Sequence, residues 1–360
     1  VRQKRYFLFF FLVIWFFTGT DLQAQRVDLA AMRKTWHDAT ILEAVGDWQK
    51  ALTLYESVAE QTSSMPLQIR EWYRGTASFA LARCYGRLQD TAKAKAAMTY
   101  ALEHHFWNPL VLRIDSNLIQ VCRPQWIDSM INSWQEIRVL ESSFWTPQPP
   151  VFVYPDKITP GEKLPLIVAL HGGNASYFEF AEQWTAVAND LHVAVMVPAG
   201  IVRESEVTNS WETDFVRIDS LVNVQLLQCL NNPVLDLNNI YLSGYSQGAQ
   251  SAIYLSLQRP ERYKGVILFS SFAQHGLDER QLQNVLAKKV KFYTFVGEYE
   301  EPMFESSIRD AYTRMTQLGI PFMLEKVKGM CHEVPLDLKT KFRTAIDWMK
   351  AVEAHDEDDR

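Results

Sequence analysis

From about residue 146 onward the chain alternates two rhythms, and that alternation limits its architecture more than any other feature. Short apolar runs stand at residues 165–170, 193–197, 240–243, 265–270, 290–296 and 322–327. Amphipathic stretches separate them at 178–190, 216–230, 247–257, 303–318 and 336–352. Proline-rich turn chemistry, "TPQPP" at 146–150 and "DKITPGEKLP" at 156–165, opens the region. Apolar runs of this length read as strands buried on both faces. Strands alternating with helices predict a mostly parallel sheet with helices on both faces. In such sheets ligands bind beyond the carboxyl ends of the strands, so chemistry is expected in the loops that follow them.

One such loop reads Gly244-Tyr245-Ser246-Gln247-Gly248. It follows the run at 240–243 and fits the G-x-S-x-G pattern of a strained strand-to-helix elbow that presents a serine hydroxyl above the sheet. The helix N-terminus beneath the serine favours a developing oxyanion, and the amide of Gln247 is the expected first donor. The run at 165–170 ends in His171-Gly172-Gly173. Glycines there allow close backbone approach, which makes the Gly173 amide the expected second donor. His171, immediately after a strand, suits a structural histidine that pins this loop better than a catalytic base.

A serine needs a base. Of the eight histidines, His37, His104 and His105 lie in the helical first half, and His192 starts a strand run. His355 lies in the acidic terminus and His275 follows "SSFAQ". His332, in "VKGMCHEVP", falls after the last strand run and before the last helix, where the order serine, acid, histidine requires it. The acid is expected after the run at 290–296. That loop, "GEYEEPMF", offers Glu298, Glu300 and Glu301 and no aspartate.

The blocks "NIYLSGYSQGAQSAIYLSLQRPERYKGVILFSS", "LHGG", "NSWETD" and "GMCHEVP" resemble the phospholipase/carboxylesterase branch of the α/β-hydrolases over roughly residues 150–350. The resemblance implies Ser246 as nucleophile, His332 as base and acid, and Gly173 with Gln247 as oxyanion donors. Members of that branch carry aspartate three residues after the strand-ending glycine. Counted from Gly297 that position is Glu300 here, with Glu301 next in line. Trp211, Phe215, Tyr245 and Tyr299 are candidates for a substrate pocket, with plain packing the competing role for each.

From about Leu29 to Glu136 the pattern is helical throughout. "GDWQKALTLYESVAEQ" places Trp48, Ala51, Leu52, Tyr55 and Val58 on one face. Ala39 and Leu42 with Ala51, Tyr55 and Val58, then Ala82 and Tyr85 with Ala94, Met98 and Ala101, resemble two tetratricopeptide repeats. Their spacing of about 43 residues exceeds the usual period, so the second helix of the first unit is expected to run on from Glu60 to Leu67. Such a region either packs on the catalytic domain or offers a groove to a protein partner.

At the start, Arg2, Lys4 and Arg5 precede an apolar run at 6–17, and Leu22-Gln23-Ala24 offers a cleavage site. This is the layout of a secretory signal peptide, and the run is short for a membrane span. The expected organisation is therefore a signal peptide at 1–24, a helical domain at 25–140, an α/β-hydrolase domain at 141–352 and an acidic tail at 353–360. A formal charge of −6 offers no basic face to nucleic acid. The four cysteines form no C-x-x-C pair, so no zinc site is expected, and the proposed chemistry requires no cofactor. The reading is a secreted or periplasmic serine esterase acting on a small-molecule or polysaccharide-linked ester. The alternatives are an amidase on the same scaffold and a degenerate hydrolase serving as a binding protein.

Overall fold

A computed structural model describes residues 28–106, 108–142, 148–211, 214–273 and 277–358. The proposed signal peptide, His275, and Glu212 and Thr213 of "NSWETD" lie outside the described residues.

The first half is helical: α1 (Leu29–Ala44), α2 (Trp48–Gln61), α3 (Leu67–Arg87), α4 (Thr91–Glu103), α5 (Pro109–Ile114), α6 (Ser116–Cys122) and α7 (Pro124–Ser142). Aspartates start several of them. The side chains of Asp28, Asp47, Asp90 and Asp115 accept hydrogen bonds from first-turn amides, which satisfies donors that have no partner within the helix. Consecutive helices pack from α1 through α4. Ala39, Ala51, Leu52, Tyr55, Ala80 and Cys84 form one buried cluster, and Ala82, Ala94, Met98 and Ala101 belong to another. The expected extension of the second helix does not occur. Helix α2 ends at Gln61, and the extra length belongs to α3. Pro66 explains this, because it pushes Met65 out of the helical region to ψ 157°.

The second half contains β1 (Val151–Val153), β2 (Leu164–Leu170), α8 (Tyr177–Gln183), α9 (Thr185–Leu191) and β3 (Ala194–Val197). A two-stranded pair follows, β4 (Val202–Arg203) with β5 (Asn209–Ser210), and then α10 (Phe215–Gln228). The remainder is β6 (Leu235–Tyr245), α11 (Gln247–Gln258), β7 (Tyr263–Phe269), α12 (Glu279–Ala287), β8 (Lys291–Gly297), α13 (Pro302–Gln317), β9 (Phe322–Val327) and α14 (Leu338–Asp358). The main sheet runs in the order β1-β3-β2-β6-β7-β8-β9, parallel except for the edge strand β1. This is the α/β-hydrolase architecture, preceded by a helical region.

Alternate residues of β2 show how the sheet is covered. Leu166, Val168 and Leu170 join one core with Ile218 of α10, Ala252 of α11, Leu282 of α12 and Ile308 of α13. Ile167 and Ala169 join the other with Phe180 of α8, Val187 of α9 and Phe342 of α14. Each large side chain so buried contributes about 1.5–3 kcal/mol of transfer free energy. The stretch at 178–190 is two helices that meet at Trp184, not one. The final helix continues to Asp358, so the acidic tail expected at 353–360 is in fact largely its last turns.

Candidate active site

The elbow joins β6 to α11. Ser246 has φ 53° and ψ −118°, a conformation that side-chain-bearing residues rarely adopt. The turn is tight because both flanking glycines are pressed by backbone. A Cβ on Gly244 would lie 2.4 Å from the Gly248 carbonyl oxygen, and one on Gly248 would lie 2.2 Å from the Leu170 oxygen. The Ser246 amide donates to the Phe269 carbonyl on β7 at 3.1 Å. The strained serine is thereby tied to the neighbouring strand.

Three loops converge on Ser246. Its Oγ lies 2.8 Å from Nε2 of His332, and Nδ1 of His332 lies 2.7 Å from Oε1 of Glu300. A carboxylate accepts from Nδ1–H, so Nε2 is left to accept from the serine hydroxyl. Glu300 is buried, and its Oε1 also accepts from the Glu301 amide at 3.1 Å. Its Oε2 is buried with no hydrogen-bond partner among the described residues. Glu301 itself is exposed and precedes α13. Between the two glutamates, the geometry brings only Glu300 to the histidine. The imidazole is flanked by the rings of Phe304 and Tyr245, at centroid distances of 5.0 and 5.5 Å.

The loop after β2 faces the elbow. The Gln247 side chain occupies the space beside Gly173, where an added Cβ would meet its Oε1 at 2.9 Å. That same Oε1 accepts from the Trp211 amide at 2.7 Å. The Gln247 amide opens α11 and, in the first turn, has no acceptor within the helix. The loop after β2 and the start of α11 are thus packed together beside the serine.

His171 is fully buried. Its Nδ1 lies 2.7 Å from the Gly172 carbonyl, and its Nε2 accepts from the Gly200 amide at 3.0 Å. Burial drives its pKa down to about 4. It is a neutral brace for the loop, with both ring nitrogens engaged by backbone. The sign of its pH effect follows. Its folded-state pKa lies below the free value of 6.5, so the unfolded chain takes up the extra proton first as pH falls. Stability from His171 is complete above pH 6.5 and is lost on descent towards pH 4, by about 3 kcal/mol. Denaturant unfolding between pH 4 and 7 is expected to show a shallower pH slope in His171→Asn than in the unmutated protein; equal slopes would refute this.

Two pocket candidates need correction. Trp211 is 1% exposed, its indole N–H donates to the His171 carbonyl at 2.8 Å, and it belongs to the sheet core. Phe215 stacks on Tyr254 at 3.8 Å. Both rings are spent on packing. Tyr245 and Tyr299 do line the cleft in front of His332. The Tyr245 hydroxyl also donates to the His332 carbonyl at 2.9 Å, so the elbow itself supports the histidine loop.

Contacts from the helical region were not legible in the sequence. Nδ1 of His37 on α1 lies 2.7 Å from Oε1 of Glu333, the residue after His332, and this bond raises the His37 pKa. The Trp72 indole of α3 donates to the Asn174 carbonyl, next to Gly173, at 3.3 Å. Glu179 of α8 is buried and accepts from Arg33 Nε at 2.8 Å, from the Tyr73 hydroxyl at 3.2 Å and from Nε2 of the Gln183 side chain at 2.7 Å. Both loops beside Ser246 are thus held from the helical side.

Residues 145–315 match the family model Esterase, described as "Putative esterase". Among solved structures, the chain is 16% identical to an uncharacterized protein from Bacillus cereus ATCC 10987, with a TM-score of 0.46 over 89% of this chain and 98% of that one. It is 16% identical to esterase PE8, with a TM-score of 0.46 over 57% of this chain and 100% of that one. It is also 16% identical to the Bacillus cereus carboxylesterase, with a TM-score of 0.43 over 59% of this chain and 98% of that one. No curated protein matches the sequence.

Proposed function

We propose that this α/β-hydrolase of the esterase type is a serine carboxylesterase working through an acyl-enzyme on Ser246. The observation that carries the reading is the continuous hydrogen-bonded chain Ser246–His332–Glu300, at 2.8 and 2.7 Å. Ser246 Oγ attacks the ester carbonyl carbon while His332 Nε2 takes its proton. The carbonyl oxygen becomes an oxyanion facing the amides of Gly173 and Gln247, and each such donor is worth about 3–4 kcal/mol. His332 then returns the proton to the departing alcohol. Water, deprotonated by the same imidazole, attacks the acyl-serine and releases the acid. Glu300 stabilises the imidazolium at each passage.

Export is part of the proposal and rests on the order of basic, apolar and small residues at 2–24. One experiment addresses both points. Express the full chain, separate the periplasmic and extracellular fractions from the cytoplasm, and label with a fluorophosphonate probe. The label is expected on the peptide carrying Ser246, in exported protein that begins at Gln25. Unlabelled Ser246 would end the serine reading, and labelled protein confined to the cytoplasm would end the export reading. Hydrolysis of p-nitrophenyl acetate without hydrolysis of aminoacyl anilides is expected; the reverse preference would favour the amidase.

A further inference from the structure

We infer that helix α1, with α3 beside it, walls the alcohol side of the substrate cleft, and that the ester carries on its alcohol a ring with a flat face and no anionic group. The inference rests on the serine esterase reading above and extends it to the substrate.

The cleft has a volume of about 980 Å³. Gly173, Tyr245 and His332 line one side, and Trp36, Trp72 and Thr76 line the other. The helical side is anchored to the hydrolase by the buried Glu179 cluster and by the Trp72–Asn174 and His37–Glu333 bonds. It is a fixed wall and not a loosely apposed domain. Pockets of about 300–1,000 Å³ enclose drug-sized ligands, so an ethyl or methyl alcohol would leave most of this space empty.

The side of the ester is set by proton delivery. The leaving oxygen must lie at His332 Nε2 to be protonated, so the alcohol extends past the histidine loop. Helix α1 is fastened to that loop, through His37 on Glu333 and through Thr40 beside the Cys331 thiol. The alcohol therefore runs toward α1, whose half-buried Trp36 lines the cleft, and half-buried Trp72, held at Asn174, borders it from the side of the loop after β2. Their indoles offer flat apolar area suited to a ring, whether aryl or sugar. Cations at the cleft are already paired: Arg33 with Glu179, Lys34 with Asp38, and Arg83 with Glu43 and Asp115. A neutral alcohol fits that arrangement better than an anionic one.

The test compares acetates that differ only in the alcohol: ethyl acetate, 2-naphthyl acetate and glucose pentaacetate. Methyl 2-naphthoate places the ring on the acid instead. Trp36→Ala removes part of the wall. Thr76→Trp fills the cleft from a half-buried helix position and serves if Trp36→Ala does not fold. In Thr76→Trp, kcat/KM for at least one ring-bearing acetate, relative to ethyl acetate, is expected to fall at least tenfold. The responding acetate tells aryl from sugar. Ratios within twofold of the parent in fluorophosphonate-labelled protein would overturn the inference. So would a loss confined to methyl 2-naphthoate. Parent protein that fails to label would instead overturn the esterase reading on which the inference stands.

Discussion

Ser246→Ala is expected to lower kcat for p-nitrophenyl acetate by about 10⁶-fold while leaving the unfolding transition in place. The size follows from the chemistry. Without Oγ there is no acyl-enzyme, and His332 Nε2, 2.8 Å from the lost oxygen, has no proton to take. What would remain is water attack assisted by the proposed oxyanion donors, worth about 10³–10⁴ over solution. The fold should not respond, because serine and alanine meet the same cost at φ 53° and the tie to β7 is made by the backbone amide. Residual activity within a hundredfold of the parent, after exclusion of contaminating hydrolase, would remove Ser246 from the reaction.

The second large effect is expected at Glu300. Glu300→Gln should reduce kcat by about 10⁴-fold, or about 5 kcal/mol in the barrier, with KM little changed. The amide can present its NH₂ to Nδ1, which then acts as acceptor, and the proton moves to Nε2. The imidazole would then donate to Ser246 and could no longer deprotonate it. Glu301→Gln should alter kcat by less than about threefold, because its contribution to the site is the backbone amide it donates to Glu300. Comparable losses in the two variants would reverse the assignment. The glutamate side chain reaches Nδ1 at 2.7 Å from a buried position, so it makes the hydrogen bond that aspartate makes in the branch this sequence resembles.

Local features carried the sequence reading a long way. The apolar runs correspond to β2, β3 and β6 to β9, because a strand covered on both faces must be apolar at nearly every position. Gly244 and Gly248 announce the elbow, because no side chain fits there. Readings failed where a distant partner decides. Trp211 looked like a pocket residue, yet its indole is claimed by the His171 carbonyl, 40 residues away in sequence. Pro66 was a local signal that should have ended α2, and the repeat spacing concealed it. The short edge strand β1 has too few residues to display a period. His37 gave no hint of its place beside Glu333, 296 residues away, because neither residue has a local pattern that implies the other.

The buried Glu179 has a consequence for how such a chain can be taken apart. Its carboxylate belongs to α8, yet two of its hydrogen-bond donors, Arg33 and Tyr73, belong to the helical half. An excised catalytic half would lose both donors and open that carboxylate to water, so a surface evolved as interior would become exterior. Recombination that swapped the helical half for another would have to supply both donors at once. The two halves thus share one buried polar cluster, and neither presents a finished surface without the other.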